Sequence, residues 1–167
     1  MFRCWSFTHN DHDFGHEPGL AAVADCIDYL WSYAEEQGIA DRMTVLISSD
    51  FGRTPHYNST NGKDHWPINS MVIMEKNAPW GNRVVGLTDE GHNAYKINPT
   101  TLLRDDLNGT NIYPKHIHQA LRTYLGIDSH PLIGRFQFSQ AENFDFFNPD
   151  LQTAGRDSDP RNSIRFV

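Results

Sequence analysis

The stretch TVLISSDFGRTPHYNSTNGKDHWPINSMVIM, Thr44 to Met74, decides how the rest of the chain is read. An apolar run, Val45-Leu46-Ile47, passes through two serines into Asp50. A polar, glycine-bearing loop then carries Arg53, Asn58, Asp64 and His65 before a second apolar run starts at Met71. The pattern is that of a strand, a functional loop and a strand. Ligands of open α/β sheets bind beyond the carboxyl ends of strands, so Asp50 stands where a strand would deliver a side chain into a crevice. The loop is too polar to fill a core.

Working outward, residues 17–38 carry a helical pattern. Leu20, Val23, Ala24, Ile27, Leu30, Trp31 and Ala34 recur at three- and four-residue steps, with Asp25, Asp28, Glu35 and Glu36 on the other face. Pro18 suits a first helical turn and Gly38 a C-terminal stop. The short link to the strand at 43–48 completes a helix-then-strand half of an α/β unit. After the loop, residues 70–74 read as a strand, 77–82 as a turn and 83–87 as a further short strand. A helical turn is expected near 101–106. A second helix opens at Pro114, with Ile117, Ala120, Leu121, Tyr124 and Leu125 on its stripe and Gly126 as its stop. His116 and His118 fall off that stripe, as on a solvated face.

The chain has 167 residues, enough for one domain with a sizeable core. Acidic residues outnumber basic ones by 21 to 14, giving a net charge of -7, and no Lys/Arg run occurs; this excludes binding to nucleic acid through phosphates. No apolar stretch reaches the ~20 residues of a membrane span. MFRCWSFTHNDHDFGH lacks the apolar region of a signal peptide. The two cysteines, Cys4 and Cys26, are outside any CxxC pair and read as isolated buried thiols rather than a disulfide. A mean hydropathy of -0.58 points to long loops or to surface meant for a partner.

Three segments flank this frame. His9, His12 and His16, interspersed with Asp11 and Asp13, lie in a stretch read as loop; they are donors suited to zinc or manganese, or else a solvated polar segment. The segment FQFSQAENFDFFNPD has five phenylalanines and no regular period, so it is expected to dock on its own domain or on a neighbouring subunit. The final DSDPRNSIRFV reads as a surface extension.

The loop itself has metal-site chemistry. Asp50, Asp64 and His65 are ligand types for a divalent cation, and Arg53 offers a bidentate fork for a phosphate or sulfate group, with Asn58 and Lys63 in support. The alternative reading is an Asp-Arg pair pinning the loop, Asp64 in a turn and His65 packed.

DFGRTP, then an Asn, then GKDHWP resembles the signature of a sulfatase-like bacterial family of unknown function, number 1501 among such families, in the alkaline phosphatase superfamily. The resemblance covers residues 6–128, including RVVGLTDEG and YPKHIHQALRTYLGID. It implies the carboxyl-terminal half of an alkaline-phosphatase-like sandwich, residues 1–128, with a central, mostly parallel sheet flanked by helices and an irregular aromatic tail over 129–167. It implies a two-metal hydrolase of phosphate or sulfate esters, commonly exported. Asp50, Asp64 and His65 would hold metal, zinc first, with manganese, calcium or magnesium as alternatives. His9 of FTHND matches a ligand histidine, while Phe7 stands where the family element has its acid. Arg53 and Asn58 would meet substrate. The nucleophile would lie in an amino-terminal half beyond this sequence, so the site would be completed by another segment. The second expectation is a non-catalytic subunit on the same scaffold, with a protein partner or as a homo-oligomer.

Overall fold

The computed structural model describes residues 8–136 and 141–151, and the chain divides into two compact units, residues 1–78 and 79–167. Cys4, Phe7 and the 157–167 extension lie outside the described residues.

The first unit opens with helix α1, His12–Glu36. It starts before Pro18 because loop carbonyls meet its leading amides: Asp11 N donates to Thr60 O at 3.1 Å and His12 N to Asn61 O at 2.8 Å. Asp11, in the left-handed region at φ 50°, turns the chain into the helix. Pro18 therefore sits inside the helix, where it has no N–H to donate to the preceding turn. Gly38, at φ 66°, ends the run, and a short 3-10 turn, Ala40–Arg42, leads to strand β1, Thr44–Ser48. Two-residue strands β2, Gly52–Arg53, and β3, His65–Trp66, precede β4, Met71–Glu75.

The strands correct the expected architecture. Among the described residues both sheets are two-stranded and antiparallel: β1 with β4, in register from Thr44↔Glu75 to Ser48↔Met71, and β2 with β3, Arg53 facing His65. A central, mostly parallel sheet of an alkaline-phosphatase-like sandwich is not what this chain forms; it is a small mixed α/β protein. The cause lies in the connection. Parallel neighbours need a crossover, usually a helix, whereas residues 49–70 fold back as a nested hairpin and return the chain antiparallel.

Burial in this unit is thin. On α1 only Ala34 is buried, Phe14 is 82% and Tyr29 69% exposed, and Cys26 is half-buried. Lys76, after β4, ties to Glu35 at 2.9 Å and Asp41 at 3.2 Å, which raises its pKa through those carboxylates.

The second unit has an apolar centre. Ile97, Leu102 and Phe144 are buried, with Val85, Leu87, Ile112, Phe146 and Leu151 packed around them. Residues 83–87 do not form the expected strand; the local pairing is isolated bridges, Thr88↔Ala94, Ile97↔Arg104 and Ile97↔Thr110. Nor is 101–106 a helical turn. Asn98 and Asp105 side chains accept backbone amides of Thr100, Thr101, Leu107 and Asn108, organising two Asx-type turns instead. The Asn108 amide first, then the Asn98 side chain and the Leu107 amide, hold the Asp105 carboxyl below its usual range. Helix α2, Pro114–Tyr124, runs as expected and ends at Gly126, φ 67°.

The described part of the aromatic segment, residues 141–151, docks within this unit; Gln137 to Gln140 lie outside the described residues. Arg83 donates to the carbonyls of Phe146, Asn148 (2.7 Å) and Leu151 (3.2 Å), and Asp145 N donates to Pro99 O at 3.0 Å. Phe144 stacks on Phe146, while Phe147 stacks on Tyr124 at 4.4 Å and meets Trp80 edge-on at 5.0 Å. The strap of residues 141–151 thus covers α2 and the Ile97–Leu102 core.

Candidate functional site

The pairing of β2 with β3 closes residues 54–64 into a tight polar loop. Thr54 fixes its base: its amide donates to Asp64 O at 3.0 Å, and its hydroxyl accepts from Asp64 N at 3.2 Å while donating to His56 O at 2.9 Å. Asn58 organises the tip. Its Oδ1 accepts from Thr60 N, Gly62 N and Thr60 Oγ1, at 3.0, 3.0 and 2.9 Å. Its Nδ2 donates to Asp64 Oδ1 and to His9 O, both at 2.9 Å. One amide side chain therefore fastens the loop to the amino-terminal segment, and Lys63 N adds a bond to Thr8 O at 2.9 Å.

Gly62 is required at this seam. A Cβ there would lie 1.6 Å from His9 O, a distance no side chain can occupy. The same holds at Gly52, where a Cβ would come 1.8 Å from Ile68 O.

The outcome is a corner where His9 Nδ1 stands 3.6 Å from Asp64 Oδ1, and the His9 and His65 rings meet edge-on at 6.1 Å. His65 stacks on Phe51 at 3.7 Å, and the Arg53 guanidinium lies 5.2 Å from the same Phe51 ring. Arg53 Nη1 donates to Lys63 O at 2.9 Å, which leaves the rest of its fork without a hydrogen bond among the described residues. Asp50 follows β1 on the exposed surface, next to Phe51. The structure thus brings His9, Asn58, Asp64 and His65 into one neighbourhood, with Arg53 bracing it from β2.

The donor set can be tested against a divalent cation. A 3.6 Å separation lets His9 and Asp64 share an ion at ordinary ligand distances of about 2.0–2.2 Å. Among the described residues no three His, Cys, Asp or Glu side chains are gathered for one ion, so this is a two-donor corner and not a filled ligand shell.

The first turn of α1 is adjacent to this loop. The His12 and His16 rings lie 4.5 Å apart, His12 meets Tyr57 at 6.1 Å, and Tyr57 donates to Asp13 Oδ1 at 2.7 Å. Lys63 Nζ sits 5.1 Å from the Tyr57 ring. Burial, then the neighbouring His16 and Lys63, push the His12 imidazole below its ordinary pKa, against the pull of Asp13.

In the second unit, His116 is a residue the sequence misplaced. It is 0% exposed, accepts from Tyr113 N at Nδ1 (3.1 Å), and sets Nε2 2.8 Å from Glu142 Oε2, off-line for a linear hydrogen bond. Burial holds it below its ordinary value, with Glu142 pulling the other way. Its signal lies two residues after Pro114: a histidine at the third helical position can bond back to the amide preceding the helix, as Glu or Gln does in a capping box. His118 is exposed, as expected. An open cavity of about 700 Å³ lies between α2 and the strap, lined by Thr123, Tyr124, Asp128, Asn143, Asp145 and Phe147 among others.

A small mixed α/β protein, with a polar loop closed by antiparallel ribbons and clamped to a histidine-bearing segment, is the class defined by this arrangement. The chain matches the family described as "Protein of unknown function (DUF1501)" over residues 6–140, and it belongs to that family. No curated protein and no solved structure matches it. No helix among the described residues is long and apolar enough to cross a membrane.

Proposed function

We propose that the His9–Asp64 corner is the cation-holding part of a sulfatase- or phosphatase-like hydrolase acting on phosphate or sulfate esters, completed by donors from another segment. The observation that carries this reading is the approach of His9 to Asp64, from widely separated positions in the chain, with Asn58 bonded to both residues. A structural turn needs Asn58 Oδ1 alone. Asn58 Nδ2 in addition ties the Asp64 carboxylate to the His9 backbone carbonyl, and the imidazole and carboxylate then stand 3.6 Å apart, as a ligand pair requires. The resemblance of DFGRTP and GKDHWP to sulfatase-like sequences points to the same chemistry.

Within this reading the residues have separate tasks. A bound divalent ion, zinc first by its imidazole and carboxylate donors, would supply Lewis-acid polarisation of the ester. His9 and Asp64 hold it, and Asn58 orients Asp64. His65 is positioned by the Phe51 stack beside His9. The unspent N–H groups of Arg53 are donors for an ester oxyanion. Asp50 is a further ligand if a neighbouring segment encloses the exposed end of β1.

The test is reciprocal coupling. Sulfate or phenyl phosphate should tighten zinc binding to the full chain, and zinc should tighten theirs by the same factor. Arg53→Ala should abolish the coupling while zinc still binds; Asp64→Asn should abolish zinc binding at this corner. Zinc affinity indifferent to both anions would refute the reading.

A second reading, a non-catalytic subunit, is favoured by the surface of α1, where Phe14, Leu20, Tyr29 and Tyr33 are all exposed. It predicts a stable association with another protein or a second copy, with no zinc-anion coupling.

A further inference from the structure

The HDFGH sequence that opens α1 places His12 and His16 one turn apart, at i and i+4 on one helical face. Their rings are 4.5 Å apart and tilted by only 30°. His12 Nδ1 is buried and has no hydrogen-bond partner among the described residues, although Tyr57, Asp13 and Lys63 are all nearby. A buried imidazole nitrogen left unpaired calls for an explanation, and an ion is one of the few that fit.

We propose that His12 and His16 form a chelating site for a borderline divalent transition metal, distinct from the His9–Asp64 corner and independent of the hydrolase reading. Two histidines four apart on a helix are a standard paired donor set, because both imidazoles reach one ion without backbone change. Imidazole donors and the general affinity order select copper(II) first, then nickel(II) and zinc. The ion keeps water at its other positions, since Asp13 is engaged with Tyr57. Binding clamps the first turn of α1, the stretch whose leading amides already rest on Thr60 and Asn61 carbonyls. Lys63 opposes the bound charge from across the Tyr57 ring, so the site is weaker than its donors alone would make it.

The experiment is a copper(II) titration of the full chain followed by nuclear magnetic resonance, with nickel(II) as a second probe. Substoichiometric copper should broaden His12 and His16 first. His16→Ala, at an exposed position, should weaken that binding about tenfold or more, while Lys63→Gln should tighten it. Asp64→Asn should leave it unchanged, which separates it from the cation corner proposed above. If His16→Ala leaves the copper titration intact, or if broadening starts at His9, His65 or elsewhere, the proposal fails. Heat-unfolding midpoints should rise with copper in the parent and not in His16→Ala; the opposite pattern would also overturn it.

Discussion

Each of the two units of this chain is ordered internally by a different force. In the second, Ile97, Leu102 and Phe144 are removed from water, and a strap clamped by Arg83 and Glu142 closes over them. In the first, no large side chain is fully buried among the described residues, and the ordering comes from hydrogen bonds around Asn58, Thr54 and Gly62. Apolar packing resists local change because its cost is spread over many contacts. A polar nest has few members, each of which is expensive to leave unpaired. The lesson is that the candidate site sits on the unit whose geometry depends on individual hydrogen bonds, so single substitutions there should disturb the site and that unit's stability together.

The sharpest way to break this contrast is Phe144→Ala. Removing a ring that is 3% exposed should cost the second unit about 3–5 kcal/mol, read as a lower denaturant midpoint for that unit. A much smaller loss would mean that the strap is not part of the core. Next is Gly62→Ala, which forces a methyl into the His9 carbonyl and should cost the first unit about 3 kcal/mol. Cross-peaks between the His9 and Asp64 neighbourhoods should disappear while Ile97 and Thr110 amides keep their protection from exchange. Asn58→Ala should cost about 2 kcal/mol, because it unpairs Thr60 and Gly62 amides together, and those two should exchange fastest.

Acidification sharpens the comparison from the other side. His116 has a folded pKa lowered below the ordinary imidazole value, so the fold binds fewer protons there than the unfolded chain. Its contribution is complete above that ordinary value and is lost as pH falls through it toward the lowered folded value. Glu142, held low chiefly by a backbone bond, and Asp105, held low by the Asn108 amide first, lose theirs at still lower pH. Ile97 and Thr110 amide protection should therefore decline between neutral and mildly acidic pH. Protection that rises over this range would show that the Glu142 pair outweighs burial.

Much of the local structure was legible in the sequence. Strands at β1 and β4 and the α2 helix follow from apolar runs, Pro114 and Gly126, because those signals are local. The sheet direction was not legible, since it depends on whether residues 49–70 make a crossover or a hairpin, and a two-residue ladder such as β2–β3 leaves no periodic trace. The start of α1 at His12 was hidden for a similar reason: the carbonyls that satisfy its amides come from Thr60 and Asn61, far along the chain. At the site, the loop residues were visible by type. By type alone Asn58 reads as a contact to substrate, and its bonds in the fold show it organising the loop as well. The burial of His116 was missed because the strap that covers it has no regular period.

Zinc titration by calorimetry, comparing Asp64→Asn with its parent in a His16→Ala background, tests the central claim most directly. The account predicts one zinc equivalent bound by the parent and lost in Asp64→Asn, with helix content and second-unit protection unchanged. Equal zinc uptake by the two proteins would contradict it, and the His9–Asp64 approach would then be a structural contact only.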